Sequence, residues 1–206
     1  MKYEDLSKEW RECFALGVEA FHHGSLPIGC LVIDAKGKTI SRERSHMIYG
    51  DKRSNMTQHA EMVALSKIPI PALEQRLTLY TTVEPCPMCF GATNVARIAE
   101  LHYGTRDPWA GSTDLKGGNW YMRRKDIEIH IGPVGFERIM ACFTVYAMMC
   151  KKKGKVVCDM DNEFVDRWAI IVPDLRDVLP KLTAENLHAL HRPEKVFNTL
   201  AEVCRV

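Results

Sequence analysis

Residues 82–92 read TVEPCPMCFGA, and this stretch joins two kinds of structure. Upstream, RLTLYTTV (76–83) is rich in β-branched residues and predicts a strand. Downstream, Pro87 suits a first helical position, where the missing N–H would have no partner anyway. A short helix is predicted from there to Ala96. The turn between them carries Cys86 and Cys89. Alone, such a pair serves a redox couple, half of a structural zinc site, or part of a catalytic centre.

Working outward, residues 4–22 place Leu6, Trp10, Cys13, Phe14, Gly17 and Phe21 at helical spacing, which predicts an amphipathic first helix. PIGCLVID (27–34) reads as a buried strand, AKGK as a turn and TISRERS as the returning, half-exposed strand. HMIYGDKRSNM is polar loop. A helix follows over 57–67, with Thr57 as its cap and PIP at its end. ELHYG and IEIHIG supply a fourth and a fifth strand. Strands alternating with helices imply α/β layers around a substantially parallel sheet.

The texture changes near Pro133. An apolar helix over 139–150 leads into KKKGKVV, then NEFVDRWAIIVPDL, and finally helical stretches around Asn186 and Val196. The expected organisation is a core of residues 1–132 with a mainly helical C-terminal extension, 133–206, packed on it.

Composition narrows the classes. A chain of 206 residues can bury a real core. Its formal charge of +2 provides no global field for nucleic acid or an anionic membrane. The opening MKYEDLSKEW lacks an apolar centre, which predicts neither a secretory nor a transit peptide, and IMACFTVYAMMC (139–150) is too short to span a bilayer. Eight cysteines without export signal or regular spacing read as buried thiols in a reducing cytoplasm, Cys86 and Cys89 excepted.

The partner of that pair is His59, in QHAEMVAL. One imidazole and two thiolates suit zinc, and three protein ligands leave the fourth position open, as catalytic rather than structural sites do. Both ligand segments open predicted helices, where the helix dipole and free N–H groups favour thiolate. Glu61 lies two residues past His59. Two residues turn about 200° around a helix, so the two side chains converge only at a helix end. A carboxylate there, outside the ligand set, can carry a proton.

HAE followed by PCPMC matches the H-x-E…P-C-x-x-C pattern of zinc nucleobase deaminases. Together with LPIGCLVID, TTVEPCPMCFGATNVARI and YGTRDPWAGS in that order, the chain resembles the cytidine deaminase-like superfamily over residues 6–131, in its branch of tRNA adenosine, guanine and cytosine deaminases. The resemblance implies a three-layer α/β/α sandwich with a five-stranded mixed, largely parallel sheet. It implies one zinc per chain on His59, Cys86 and Cys89, with Glu61 as the catalytic proton shuttle. It also implies that Ala60, Pro85 and Cys86 line the substrate ring, and that the assembly is a dimer or higher homo-oligomer. One departure stands out: where the branch carries an Arg-Asn pair after the second strand, this chain has RERSHMIYG. Ser45 or His46 replaces a carboxamide and cannot reproduce its paired donor and acceptor.

Other candidates have plainer readings. Trp109, after the RDP turn, is either a stacking face over the pocket or packing. Trp120 and Tyr121 are similar. His102 and His130 fit sheet positions, and the basic run Lys151 to Lys155 fits a solvated helix end. The leading expectation is a cytoplasmic hydrolytic deaminase of a free nucleobase or nucleoside. The alternatives are a tRNA adenosine deaminase, for which only YMRRK and KKKGK supply basic clusters, and a non-enzymatic zinc-stabilised scaffold.

Overall fold

The computed structural model of the chain describes residues 1–47, 54–70, 72, 75–149, 162–183 and 187–206. The basic run 151–155, the stretch around Asn186, most of the loop after His46, Cys150 and Cys158 lie outside them.

The first helix, α1 (Lys8–His22), is shorter than its apolar pattern suggests. Tyr3–Asp5 form a separate 3-10 turn, and Ser7 breaks the run by accepting the amide N–H of Trp10 at 3.4 Å as helix cap. Strands β1 (Gly29–Asp34) and β2 (Thr39–Arg44) form the expected hairpin. Asp34 Oδ1 accepts the N–H groups of Lys36 and Lys38 at 2.8 and 2.9 Å, and Gly37 takes the left-handed φ of 76° that the turn needs.

Helix α2 (Ala60–Ser66) starts later than its sequence pattern predicts, and Thr57 does not cap it. Thr57 gives both its N–H and its hydroxyl to Asn55 Oδ1, at 2.9 and 2.8 Å. The chain turns at 56–57, where Gln58 N donates to Asn55 O, and is extended at His59, which takes the N-cap position with its imidazole uncommitted to capping. Strand β3 (Leu77–Val83), helix α3 (Pro87–Val95) and strand β4 (Ile98–Thr105) follow as one strand–helix–strand unit with parallel strands. A short helix, α4 (Trp120–Arg123), capped by Asn119, precedes the edge strand β5 (Glu128–Ile131).

The sheet order is β2-β1-β3-β4-β5. It is mixed, antiparallel across β2-β1-β3 and parallel across β3-β4-β5. Alternation on each strand gives it two faces. One carries Val32, Leu79 and Leu101 and packs beneath α2 and α3 with Ala60, Ala64 and Phe90. The other meets α1 and the C-terminal helices.

Those helices are α5 (Val134–Met149), α6 (Asn162–Ala169), α7 (Leu175–Val178) and α8 (Pro193–Cys204). Helix α5 begins before the predicted 139, because Pro133 O accepts the amides of Phe136 and Glu137. Gly135 and the charged pair Glu137–Arg138 interrupt the apolar run there and mask that start in the sequence. From Ile139 to Ala147 every residue is buried, as in a helix covered on all sides. Its rings knit the layers together: Phe14 of α1 meets Phe136 at 6.3 Å, Phe143 at 6.0 Å and Phe197 of α8 at 5.2 Å, in tilted and edge geometries. Among the described residues the cysteines are free, with Cys13, Cys30, Cys142 and Cys204 buried. No helix among them is long and apolar enough to cross a membrane.

Candidate metal and catalytic centre

The N-termini of α2 and α3 meet on the α2/α3 side of the sheet. His59 and Cys86 are both N-cap residues in extended backbone, with ψ of 152° and 172°, and neither side chain caps its helix. Pro87 follows Cys86 as the first helical residue, and Cys89 lies one turn in. His59 Nδ1 is 3.7 Å from Cys86 Sγ and 3.5 Å from Cys89 Sγ. All three donor atoms lie within 4.8 Å of one another.

That spacing fits a shared ion. Tetrahedral zinc bonds nitrogen at 2.0–2.1 Å and sulfur at about 2.3 Å, which sets an N···S separation of about 3.6 Å. The donor set is the borderline-soft one zinc prefers. His59, Cys86 and Cys89 thus form a zinc-binding triad.

Glu61 is 3 % exposed and belongs to the same cluster. Its Oε1 accepts the hydroxyl of the buried Thr81 at 2.8 Å, and its Oε2 accepts the Cys89 thiol at 3.5 Å. The His59–Glu61 convergence required at a helix end is achieved because His59 is still extended. Burial raises the Glu61 pKa, against the hydrogen bonds from its own backbone and from Thr81. Cys86 is pushed down to about 4, chiefly by its neighbour Cys89 and also by His59. Cys89, bonded to Cys86, desolvated and facing Glu61, stands above the ordinary thiol range. His59 is raised by its bond to Cys86.

Thr81 is a neighbour of the centre that the sequence reading missed. Its signal was present in the strand alternation, which aims Thr81 at the α2/α3 face alongside Leu79. Glu84 is a second. At the end of β3 it accepts the amides of Asp107 and Thr113, each at 3.1 Å, and also the Thr113 hydroxyl. The loop 106–113 is thereby tied down beside Cys86, and Ser112 N donates to Pro85 O at 3.1 Å. Gly111 passes so close that a Cβ there would lie 2.3 Å from Glu84 Oε2.

The other candidates are dispersed around this centre. Ala60 is fully buried and Pro85 buried, both at the helix starts. Trp109, on the tethered loop, is 58 % exposed and turned toward α6, with its ring 5.4 Å from Phe164 and the Arg167 guanidinium 5.7 Å above it. Ser45 is buried in a hydroxyl pair with Ser25 at 2.7 Å, and Ser25 also reaches Met47 O. His46 donates its backbone N–H to Gln58 O, next to His59, while its half-exposed ring lies 3.4 Å from Glu43.

Residues 4–105 match the cytidine and deoxycytidylate deaminase zinc-binding region. A protein described as "Probable cytosine deaminase" from Schizosaccharomyces pombe is 33% identical over 121 residues, 57% of this chain and 72% of that one. A tRNA-specific adenosine deaminase 2 from Xenopus laevis is 29% identical over 113 residues, 50% of this chain and 62% of the relative. A solved structure from work on A-to-I editing by tRNA:A34 deaminases superposes with a TM-score of 0.51 at 27% identity, covering 60% of this chain and 96% of that one. The chain spans less than two thirds of the length of several curated relatives, 20% of one and 62% of another. The triad, the buried glutamate beside it and these matches agree: the chain belongs to the cytidine and deoxycytidylate deaminase zinc-binding family.

Proposed function

We propose that this protein hydrolytically deaminates a free aminated nucleobase or nucleoside, exchanging the ring amino group for a carbonyl oxygen and releasing ammonia. The observation that carries this reading is the buried Glu61 carboxyl, held by Thr81 against the zinc triad. Bound at His59, Cys86 and Cys89, zinc supplies a Lewis acid that acidifies water near neutral pH. Once Cys89 is a thiolate ligand it no longer donates to Glu61 Oε2. That oxygen is then free to take a proton and hand it on, while Thr81 keeps Oε1 and the carboxyl plane fixed. A carboxyl pKa raised by burial moves toward the working pH, which is what a two-way proton carrier requires.

Ala60, Pro85 and Cys86 are assigned to the walls around the substrate ring. Trp109 is assigned to the rim, on a loop held from beneath by Glu84 and buttressed from outside by α6. This second support favours a small, enclosed substrate. Substrate choice is assigned in part to the Ser45–His46 segment, because the His46 backbone is bonded to Gln58. With the Ser45 hydroxyl paired internally, His46 is the residue there able to reach a ligand.

A specific feature favours tRNA as the second reading. Trp120, 66 % exposed, and Tyr121 carry Arg124 and Lys125 over their rings at 4.7 and 5.0 Å, a pattern suited to stacking on single-stranded bases. Ammonia release separates the two readings, measured across cytosine, guanine, adenine, their nucleosides and an anticodon stem-loop. Turnover of a free compound that falls 10²–10⁴-fold in Glu61→Gln, with zinc content unchanged, is the expected result. Turnover of the stem-loop alone would transfer the assignment to RNA, and native-rate turnover by Glu61→Gln would refute the role of the carboxyl. His46→Ala and Ser45→Asn, run over the same compounds, are expected to change the rate ratios. Unchanged ratios in both would remove that segment from substrate selection.

A further inference from the structure

Metal-capable donors converge a second time, on the opposite face of the sheet. In the parallel register His102 of β4 pairs with His130 of β5, and Glu100 pairs with Glu128. Tyr80 of β3 pairs with His102 from the other side. The three rings form a ladder: Tyr80 stacks on His102 at 4.5 Å and 15°, and His102 on His130 at 4.5 Å and 22°. His102 is thus held between two neighbours, with its ring orientation fixed by packing.

The carboxylates are held too, each by one oxygen. Arg76 donates to Glu100 Oε1 at 2.9 Å and to Glu128 Oε1 at 2.7 Å. Each Oε2 is left facing an imidazole, Glu100 Oε2 at 3.5 Å from His102 Nε2 and Glu128 Oε2 at 3.9 Å from His130 Nε2. Both separations exceed the 2.7–3.2 Å of a well-formed N–H···O bond, so neither nitrogen is committed to a strong partner. The ligand atoms of Glu100, His102 and His130 all lie within 4.8 Å of one another.

We propose that His102, His130 and Glu100 form a second metal site, for a divalent transition-metal ion, independent of the His59–Cys86–Cys89 centre. Two imidazoles and one carboxylate are ligands for Zn²⁺, Ni²⁺ or Co²⁺ rather than for Ca²⁺ or Mg²⁺. Donors about 2.0–2.2 Å from one ion stand about 3.3–3.6 Å apart. His130, whose side chain is 46% exposed on the edge strand, can rotate off its stack on His102, which Tyr80 still holds, so that the in-plane nitrogen lone pairs of the two rings converge and close that gap. Arg76 orients the two carboxylates from behind and leaves Glu128 Oε2 as an outer hydrogen-bond acceptor for the site. The ion would clip the four-residue β5 to β4.

The test counts metal on the full chain. Zn²⁺ alone is titrated by calorimetry into metal-free protein, and bound zinc is measured after dialysis. Wild type is expected to take two equivalents, the Cys86→Ser, Cys89→Ser variant one, and His130→Gln one. If the double cysteine variant does not fold, wild type and His130→Gln, a change on an exposed edge position, are each given a single equivalent of zinc, which the thiolate centre takes first, and Ni²⁺ is then titrated into both. One further equivalent in wild type, with a raised Tm, and none in His130→Gln is then expected. Saturation of wild type at one zinc, or a second equivalent that persists in His130→Gln, would overturn the assignment.

Discussion

Glu84 offers the sharpest check on how the centre is held together. Its carboxylate accepts two backbone amides and one hydroxyl from the loop 107–113. Glu84→Gln keeps the shape but provides one acceptor oxygen where two are used. Whichever way the amide is turned, its NH₂ opposes either Asp107 N–H or the Thr113 donors. One bond to a charged group, worth about 1.5–3 kcal/mol, is lost, and the remainder weaken to the neutral value of about 1 kcal/mol. The group is half-buried, so we expect the lower part of that range, a loss of about 2 kcal/mol. For a chain of this size that corresponds to a Tm lower by about 4–8 °C. Equilibrium urea unfolding measures the first quantity, and native-state hydrogen exchange localises it. The amides of Asp107 and Thr113 should lose protection, while those of α5 fall only by the global change. A loss under about 0.5 kcal/mol, the ordinary range for a surface substitution, with Asp107 and Thr113 still protected, would refute the tether.

Gly111→Ala attacks the same contact from the loop side. A methyl 2.3 Å from Glu84 Oε2 and 2.5 Å from Asp107 O must displace one of them, an overpacking cost of about 1–3 kcal/mol in the same unfolding assay. Cys86→Ser, Cys89→Ser should remove zinc from the His59 centre, measured by elemental analysis with His130→Gln as background. Full zinc retention there would refute the triad. In acid, the Arg138 guanidinium, whose Nη2 donates to both Asp174 oxygens at 2.6 and 2.8 Å, holds the Asp174 carboxyl below its ordinary value. A depressed folded pKa gives stability that is complete above the unfolded value of about 3.9 and is lost as the pH falls through the folded one. Asp174→Asn should therefore flatten the acid limb of stability below about pH 4. An unchanged limb would show that this pair does not contribute.

Local chemistry explains what was legible in advance. The triad could be read because its three ligands occupy two short segments, and each segment carries its own start signal. The five strands could be read because Val, Ile, Leu and Thr alternate or cluster in them. The position of α2 was misjudged for an equally local reason: the Thr57 hydroxyl had two possible partners, and Asn55 competed successfully with the helix. Thr81 and Glu84 were not legible in their roles. Each acts on a partner twenty or more residues away, and the parallel pairing of β3 with β4 that brings Glu84 to Asp107 is a property of the assembled sheet. The Tyr80–His102–His130 ladder was hidden for the same reason. It depends on register between three strands, and no one of them carries the pattern.

The enclosure of α5 has a consequence for how this protein can change over time. Most helices have an outward stripe on which substitutions are nearly free. Between Ile139 and Ala147 there is none, since the sheet and α1 press from one side and α6 and α8 from the other. A larger ring at Phe136 or Phe143 would need a smaller one at Phe14 or Phe197, because a close-packed interior accepts volume only by exchange. Across relatives these positions should therefore vary in compensating sets, drawn from segments far apart in the sequence. Exposed Arg123, on the short helix α4, can diverge without such compensation. Mapping which positions change together would reveal the packing of this helix without a structure.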